Sequence, residues 1–446
     1  MINNYKLILG LEIHLQLSTS TKMFCSCKNE PFGSEPNTHV CPVCLGLPGA
    51  MPVPNRDAIE KAQMMAETLG TTLQKQIIFE RKNYFYPDLP KAFQLTTPHY
   101  PVGKGGKYTL LFPPKYANKQ ISKYPNGYTI GWREIHIEED TAKSQHRNGK
   151  TYIDFNKSGV PLLEMVTEPD FQSIDDAVEF GKEIQSIARY LGVSEADMEK
   201  GQLRLEANIS LKKIKKTELP DYRVELKNIN SFMFMKNALD SEVKRQVEAL
   251  DRGERLVQET RGYDAVTKKT FTQRGKEEAH DYRYFPEPDI PAISIKYKVL
   301  SITYKTPSDY VEKLKKYNIR LSYIPVLIAN KQLADFTLKV IKLGEKHPIT
   351  ADMIAGTIVN KKVDPNTTSP EKLLKNLVLS KSSVVSDQSQ LREWVEQAIK
   401  ENPKAVADYK AGKQAVIGVL IGAVMKLSKG KADAVATRQI LIKLLQ

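Results

Sequence analysis

Apolar and polar residues alternate strictly over residues 7–17 (LILGLEIHLQL), with Leu11, Ile13, Leu15 and Leu17 on one side and Glu12, His14 and Gln16 on the other. A period of two belongs to a half-buried strand, so this segment predicts a strand whose wet face aligns an acid, an imidazole and an amide. The alternation returns at 134–137, 152–156, 203–211 and 222–228. The third of these segments presents Arg204, Glu206, Asn208 and Ser210 on one face, and the last presents Arg223, Glu225 and Lys227. Asn148-Gly149 is a tight-turn signal and predicts that the strands on either side of it pair as a hairpin. Gly159 and Pro161 then interrupt the pattern before a strand resumes at 162–166. Solvent accounts for any one such face, but several strands that each offer an acid favour a shared metal and phosphate site.

Between these strands the period changes to that of helices. Asn55 caps an apolar stripe through Ile59, Ala62, Met65, Ala66 and Leu69 that ends at Gly70. Ser173 opens a helix running to Leu191 with Gly192 as its stop, and Ser231 opens another to Arg252 stopped by Gly253. Strand signals fade after Tyr304, and from Thr306 onward the pattern is helical, punctuated at Pro307, Pro348, Pro365, Pro370 and Pro403. The fold class is therefore α+β with a helical C-terminal part.

Glu138, Glu139 and Asp140 follow the 134–137 strand directly. Adjacent like charges persist on a solvated turn, or where a divalent cation takes their oxygens. All four cysteines fall in one short stretch, as Cys25-x-Cys27 and Cys41-x-x-Cys44. Two close pairs joined by a polar loop can converge on one tetrahedral Zn²⁺, against the alternatives of buried free thiols or a redox pair. Residues 81–91 (RKNYFYPDLPK) interleave cations and aromatics, which suits a stacked base or a phosphate, or equally a rigid loop. Lys104-Gly-Gly-Lys107 is a hairpin turn and too short for a phosphate loop.

The 446 residues suffice for several domains, and a formal charge of +14 makes a polyanion a plausible partner. The tail, 371–446, holds 13 Lys and Arg against 7 Asp and Glu, which suits RNA docking or a soluble surface. The opening residues do not read as a signal peptide, and the apolar run 415–425 is about half of the ~20 residues a membrane span needs. Its Gly418 and Gly422 suggest close helix packing. A cytosolic protein without membrane partners is expected.

Many long words in order give the chain a strong resemblance to the B subunit of the bacterial tRNA-dependent aspartyl/glutamyl amidotransferase. They are LEIHLQL, the cysteine pairs with CPVCLGLPG, RKNYFYPDLPK, IHIEEDTAK, YIDFNKSGVPLLE, VELKNINSF, QETRGYD and DYRYFPEPD, with a fainter match in GKQAVIGVLIGAVMKLSKGKA. The resemblance implies a glutamine-synthetase-like cradle with an antiparallel sheet and helices over 1–292, a helical domain over 293–370, and a helical tRNA-binding tail over 371–446. It implies ATP-dependent phosphorylation of the side-chain carboxylate of misacylated Glu-tRNA(Gln) or Asp-tRNA(Asn). Ammonia made by a partner amidase, the A subunit, then displaces the phosphate, within a heterotrimer completed by a small C subunit. Carried over by motif position, Glu12, His14, Glu138 and Glu225 are the expected Mg²⁺ ligands, with Glu206 and Asn208 close by. Arg81, Lys82, Arg204 and Lys227 are the expected phosphate contacts. Cys25, Cys27, Cys41 and Cys44 are the expected structural Zn²⁺ ligands. The chain departs from the family words at Leu205-Glu206, where the pattern has Cys-Asp, and at Ala92-Phe93, where it has Gly-Tyr. Two other readings are a zinc-stabilised tRNA-binding scaffold without catalysis and a free-standing carboxylate–amine ligase, the latter disfavoured by the basic tail.

Overall fold

The computed structural model describes residues 4–111, 128–214, 218–275, 281–295, 305–382, 388–428 and 431–445. Residues 296–304, the last stretch before the strand signals fade, lie outside this set. The chain divides into two compact units, Met1–Glu312 and Lys313–Gln446.

The first unit is built on a large sheet. Its main path uses ten strands, β1 (Tyr5–Gln16), β2 (Glu80–Asn83), β3 (Phe93–Thr96), β4 (Thr129–Glu139), β5 (Pro161–Thr167), β6 (Leu203–Lys213), β7 (Val224–Ile229), β8 (Glu259–Asp264), β9 (Lys269–Gly275) and β10 (Phe285–Pro286). They lie in the order β9-β8-β7-β6-β1-β5-β4-β3-β2-β10, with the chain's first strand near the centre. Three helices accompany the sheet, α1 (Arg56–Thr68), α2 (Ile174–Leu191) and α3 (Phe232–Asp251). Asn55, Ser173 and Ser231 cap them as expected, each side chain accepting from a backbone N–H three residues on. Gly192 ends α2 with φ of +67°, a left-handed turn that costs glycine nothing.

Strand alternation sorts the sheet into two faces. Leu9, Leu11, Ile13 and Leu15 of β1, Leu205, Ala207 and Ile209 of β6, and Leu163 and Met165 of β5 all point into one apolar core shared with the helices. A Cβ at Gly181 of α2 would lie 3.0 Å from Phe232 Cε1 and 3.3 Å from Leu205 Cδ1, so the helix needs a bare backbone there. Gly181→Val should therefore destabilise the fold by about 1–3 kcal/mol through overpacking, read as a lowered midpoint in chemical denaturation.

Three expectations are corrected. The sheet is not wholly antiparallel: β7 and β8 run parallel, pairing Val224 with Glu259. The physical reason is α3, which connects them and carries the chain back so that β8 enters in the same direction. Next, the Asn148-Gly149 hairpin joins Lys143–Arg147 to Lys150–Asp154 in a sheet of its own, and β4 pairs instead with β5. Burial decides this, because Ile135 and Ile137 of β4 are fully buried and need the apolar partners Leu163 and Met165. Lastly, Gly418 and Gly422 face open space rather than a close helix contact.

In the second unit, helix Pro370–Ser382 packs on Lys331–Gly344, with Lys339 and Glu371 paired at 3.3 Å. Helices Gln388–Glu401, Ile417–Leu427 and Ala434–Leu445 close a separate apolar cluster around Leu391, Leu420 and Leu441. Among the described residues no helix is long and apolar enough to cross a membrane.

Candidate active site

The face of the sheet opposite the core carries a continuous row of charge. Register builds it: Glu12 lies opposite Glu206 of β6 and Val166 of β5, while His14 lies opposite Arg204 and Glu164. Across the next pairs, His136 faces Glu164, Glu138 faces Leu162, and Asn208 faces both Gly10 and Glu225 of β7. Directly paired residues project to the same side of an antiparallel sheet, so five strands deliver their acids to one surface.

Two groups of ligand atoms form there, each with all members within 4.8 Å of one another: Glu12, His14 and Glu164, and Glu12, Glu206 and Glu225. Glu12 belongs to both. Of the four expected Mg²⁺ ligands, Glu12 and His14 thus share one group, and Glu225 joins Glu12 in the other. Glu138 stands next to them, 3.6 Å from His14 Nε2. Glu206, one methylene longer than the family's aspartate, reaches the second group in full. Asn208 sits two register pairs further out, the next position on the same face.

Crowded carboxylates in a dry site resist ionisation. Burial pushes Glu12 up to about 8, with Glu164 and Glu206 adding to it. Glu138 is raised well above the usual carboxylate range, by burial first and then by Glu164. Burial lowers His14, which leaves a neutral imidazole with a free lone pair.

Cations balance the acids unevenly. Lys227 Nζ lies 3.0 Å from Glu206 and 3.5 Å from Glu225, and although burial opposes its charge, these two acids hold it above the ordinary lysine value. Thr260 donates to Glu225 at 2.9 Å. Arg204 and Lys157 both bind Asp140, at 3.1 and 3.0 Å, so the third acid of the 138–140 run is an anchor with its charge satisfied. Glu139 is likewise engaged, by Lys91 and by the Leu95 N–H. Lys82 reaches the polar face: burial opposes its charge, and Glu138 leads the charges that raise it. Its ammonium lies 4.9 Å from the Tyr282 ring centre. Arg81, its neighbour in sequence, is held instead by Glu287 in a two-point pair at 2.7 and 2.8 Å and lies over Phe93. Successive strand residues point oppositely, so the structure does not gather Arg81 with the other expected phosphate contacts.

Sequence reasoning missed Glu164, the lone charged residue inside PLLEMVT, and a lone acid in an apolar strand is the signal that could have found it. Residues 282–289 entered the sequence analysis only as part of the word DYRYFPEPD, with no place assigned to them. In the structure this segment doubles back along β2, Asn83 donating to the carbonyls of Tyr282 and Arg283. Tyr84, Tyr282 and Tyr284 then form a chain of edge-on rings beside Lys82.

In the stretch between β1 and α1, the sulfurs of Cys25, Cys27, Cys41 and Cys44 lie within 4.8 Å of one another, a cluster able to hold a metal ion. The Cys25 thiol donates to Cys44, and burial opposes, so Cys44 falls to about 4 while Cys25 rises. Lys22, fully buried, places Nζ 3.6 Å from Cys44 Sγ and 3.1 Å from the Phe155 carbonyl. A Cβ on Gly159 would touch Cys44 Cβ at 3.4 Å and Glu139 Oε2 at 3.7 Å, so one residue separates the thiol cluster from the acid-bearing end of β4.

Comparison with known proteins identifies the family of the chain. The GatB/GatE catalytic domain family matches residues 7–301, and the GatB domain family matches 303–445. Proteins named as the B subunit of aspartyl/glutamyl-tRNA(Asn/Gln) amidotransferase are similar from end to end. That of Thermotoga petrophila is 38% identical over 99% of each chain, that of Persephonella marina 39% over 98% of this chain and 99% of its own, and that of Thermus thermophilus 36% over 99% of each. The charged sheet face and the four-cysteine cluster are therefore those of a chain that belongs to the family of aspartyl/glutamyl-tRNA(Asn/Gln) amidotransferase B subunits.

Proposed function

We propose that this chain is the kinase and transamidase subunit of a tRNA-dependent amidotransferase, and that the charged sheet face is its active site. In the reaction, the side-chain carboxylate of Glu-tRNA(Gln) or Asp-tRNA(Asn) takes the terminal phosphoryl group of ATP, releasing ADP. Ammonia then forms the amide C–N bond as phosphate leaves. The observation that carries this reading is the pair of acid groups sharing Glu12, with Lys227, Lys82 and Arg204 on the same face. Phosphoryl transfer needs positioning and charge neutralisation rather than a protein nucleophile, and the four cysteines are all committed to one cluster.

The donor set fits Mg²⁺: oxygen-rich, with a buried carboxylate pushed up to about 8 by its acidic neighbours, a repulsion that a divalent ion relieves. Glu12, His14 and Glu164 would hold one ion, and Glu12, Glu206 and Glu225 another. An ion held there would supply positive charge to offset that of the phosphate groups. The chain's own groups do the rest. Lys227 and Lys82 supply fixed positive charge on either side of the acids, Arg204 and Lys157 keep Asp140 paired, and His14 stays neutral beside Glu12. Four convergent thiols fit a tetrahedral Zn²⁺ that stabilises the 25–44 stretch. The partners are misacylated tRNA, an amidase A subunit plus a small C subunit, in the cytoplasm.

The test is the nitrogen donor. With ATP, Mg²⁺ and misacylated tRNA, the chain in complex with an inactivated amidase partner should form the amide from ammonium and should fail with glutamine. Amide formation from glutamine by the isolated chain would overturn its assignment to a partner-dependent enzyme. Failure of ammonium in the complex would leave a tRNA-binding scaffold as the better account.

A further inference from the structure

β8 borders the charged face, and its parallel pairing with β7 sets Thr260 beside Glu225. Both side chains stand on the same surface, where the Thr260 hydroxyl donates to Glu225 Oε2 at 2.9 Å. The other oxygen, Oε1, lies 3.5 Å from Lys227 Nζ. The last torsion of a glutamate is broad, so the plane of its carboxylate is set by contacts rather than by the rotamer. Here one contact is a cation that sits closer to Glu206, at 3.0 Å, and the other is a neutral hydroxyl. Without the hydroxyl, Lys227 alone would set that plane. Thr260 is buried, where a hydroxyl needs a partner, while the strand asks only for a β-branched side chain. Valine would serve the sheet as well as threonine does.

The reverse side of β8 explains what keeps Thr260 in place. Its neighbours Glu259 and Arg261 turn the other way, into a buried set of ion pairs that no step of the reaction uses. Arg261 binds Glu259 at 2.9 and 3.0 Å and the Thr270 carbonyl of β9 at 2.9 Å. Glu242 of α3, fully buried, accepts from the Thr270 hydroxyl at 2.8 Å and from Arg245 at 2.7 Å. A slip of β8 by one residue would flip Thr260 to the other side, and it would also strand these buried charges without partners. The β8–β9 register shifts between Thr260 and Arg261, a bulge of the kind that re-aims a side chain beside a site.

We infer that Thr260 is a positioning residue for Glu225: its hydroxyl fixes the plane of the carboxylate, so that the Glu12, Glu206 and Glu225 group closes on a divalent cation. The inference rests on the Mg²⁺ reading of that group and deepens it, by assigning its geometry to a residue outside the ligand set.

Mn²⁺ is the probe, titrated into the nucleotide-free complex and followed by electron paramagnetic resonance of the free ion. Glu225→Gln, which removes a ligand, identifies the bound equivalent that belongs to this group. Thr260→Val should weaken that same equivalent on the order of tenfold, the usual cost of losing the hydrogen bond behind a ligating carboxylate. Thr260→Ser, which keeps the hydroxyl, should restore most of it. The Mg²⁺ concentration for half-maximal amide formation should shift in parallel, with the rate at saturating Mg²⁺ little changed. Thr270→Val, which takes a donor from Glu242 on the reverse side, should lower the denaturation midpoint and leave Mn²⁺ affinity as in wild type. Wild-type Mn²⁺ affinity in Thr260→Val, no recovery in Thr260→Ser, or an equal loss in Thr270→Val overturns the assignment. A wild-type complex that binds no Mn²⁺, or a Glu225→Gln complex that binds it as wild type does, would instead take away the metal reading beneath it, so the two failures are distinguishable.

Discussion

Glu12→Gln is expected to slow amide formation on the order of a thousandfold or more while leaving tRNA affinity within about twofold, because it removes fixed charge from the reacting centre and nothing from the core. Glu12 is the one residue common to both ligand groups, so its loss disables each of them. Glu164→Gln and Glu206→Gln each touch a single group and should cost less. The substitution keeps side-chain volume, and the strand's other face, Leu11 and Ile13, is untouched. ADP release and amide formation in the complex read the rate, and filter binding reads the affinity. Matching losses in both would mean misfolding, and an unchanged rate would sink the active-site assignment.

The same residue gives a pH signature. Buried among acids, Glu12 is raised from 4.5 to about 8, so the folded protein holds this proton more tightly than the unfolded chain does. That contribution to stability is full below about 4.5 and is lost as pH rises through about 8. Metal-free protein should therefore lose thermal stability across this window, Mg²⁺ should restore more of it at the alkaline end, and Glu12→Gln should flatten the dependence. Mg²⁺ binding near neutral pH should release protons, visible in calorimetry as a dependence on buffer ionisation heat.

Cys41→Ser should produce the largest loss of stability, a fall in melting temperature on the order of 10 °C accompanied by loss of zinc, since structural zinc contributes folding free energy directly. Between β1 and α1 the chain forms no helix and no named strand, so few backbone ladders hold it in place. Four thiols gather it, and Lys22 and Gly159 tie it to the loop entering β5. Activity should fall only through that link, as a lower rate with KM for ATP little changed. Elemental analysis and differential scanning fluorimetry check both parts. Zinc near zero in wild-type protein purified without chelator would refute the site.

Much of the site could be read from sequence because its residues obey a period set by local backbone sterics. Glu12 and His14, Glu206 and Asn208, and Glu225 and Lys227 each sit two apart, and any chain that extends there must turn them to one side. The helix caps at Asn55, Ser173 and Ser231 are local in the same way, a side chain reaching three residues along. The cysteine spacing made its convergence legible for a similar reason, each pair spanning a single turn.

What the sequence left open depended on which strand lies beside which. Glu164 becomes a ligand candidate only because β5 places it opposite His14. That the face to which Arg81 turns holds a carboxylate for it, Glu287, 206 residues away, is likewise tertiary, and the parallel β7–β8 pair depends on where α3 returns the chain. Gly418 and Gly422 have the spacing of a close helix contact, yet among the described residues no neighbour would lie within 4 Å of a Cβ on either. Periodicity is enforced within a few bonds of each residue, whereas strand neighbours and register are chosen by the burial of whole apolar faces. The sequence alone therefore determined which side chains share a face, and the tertiary structure decided which faces meet.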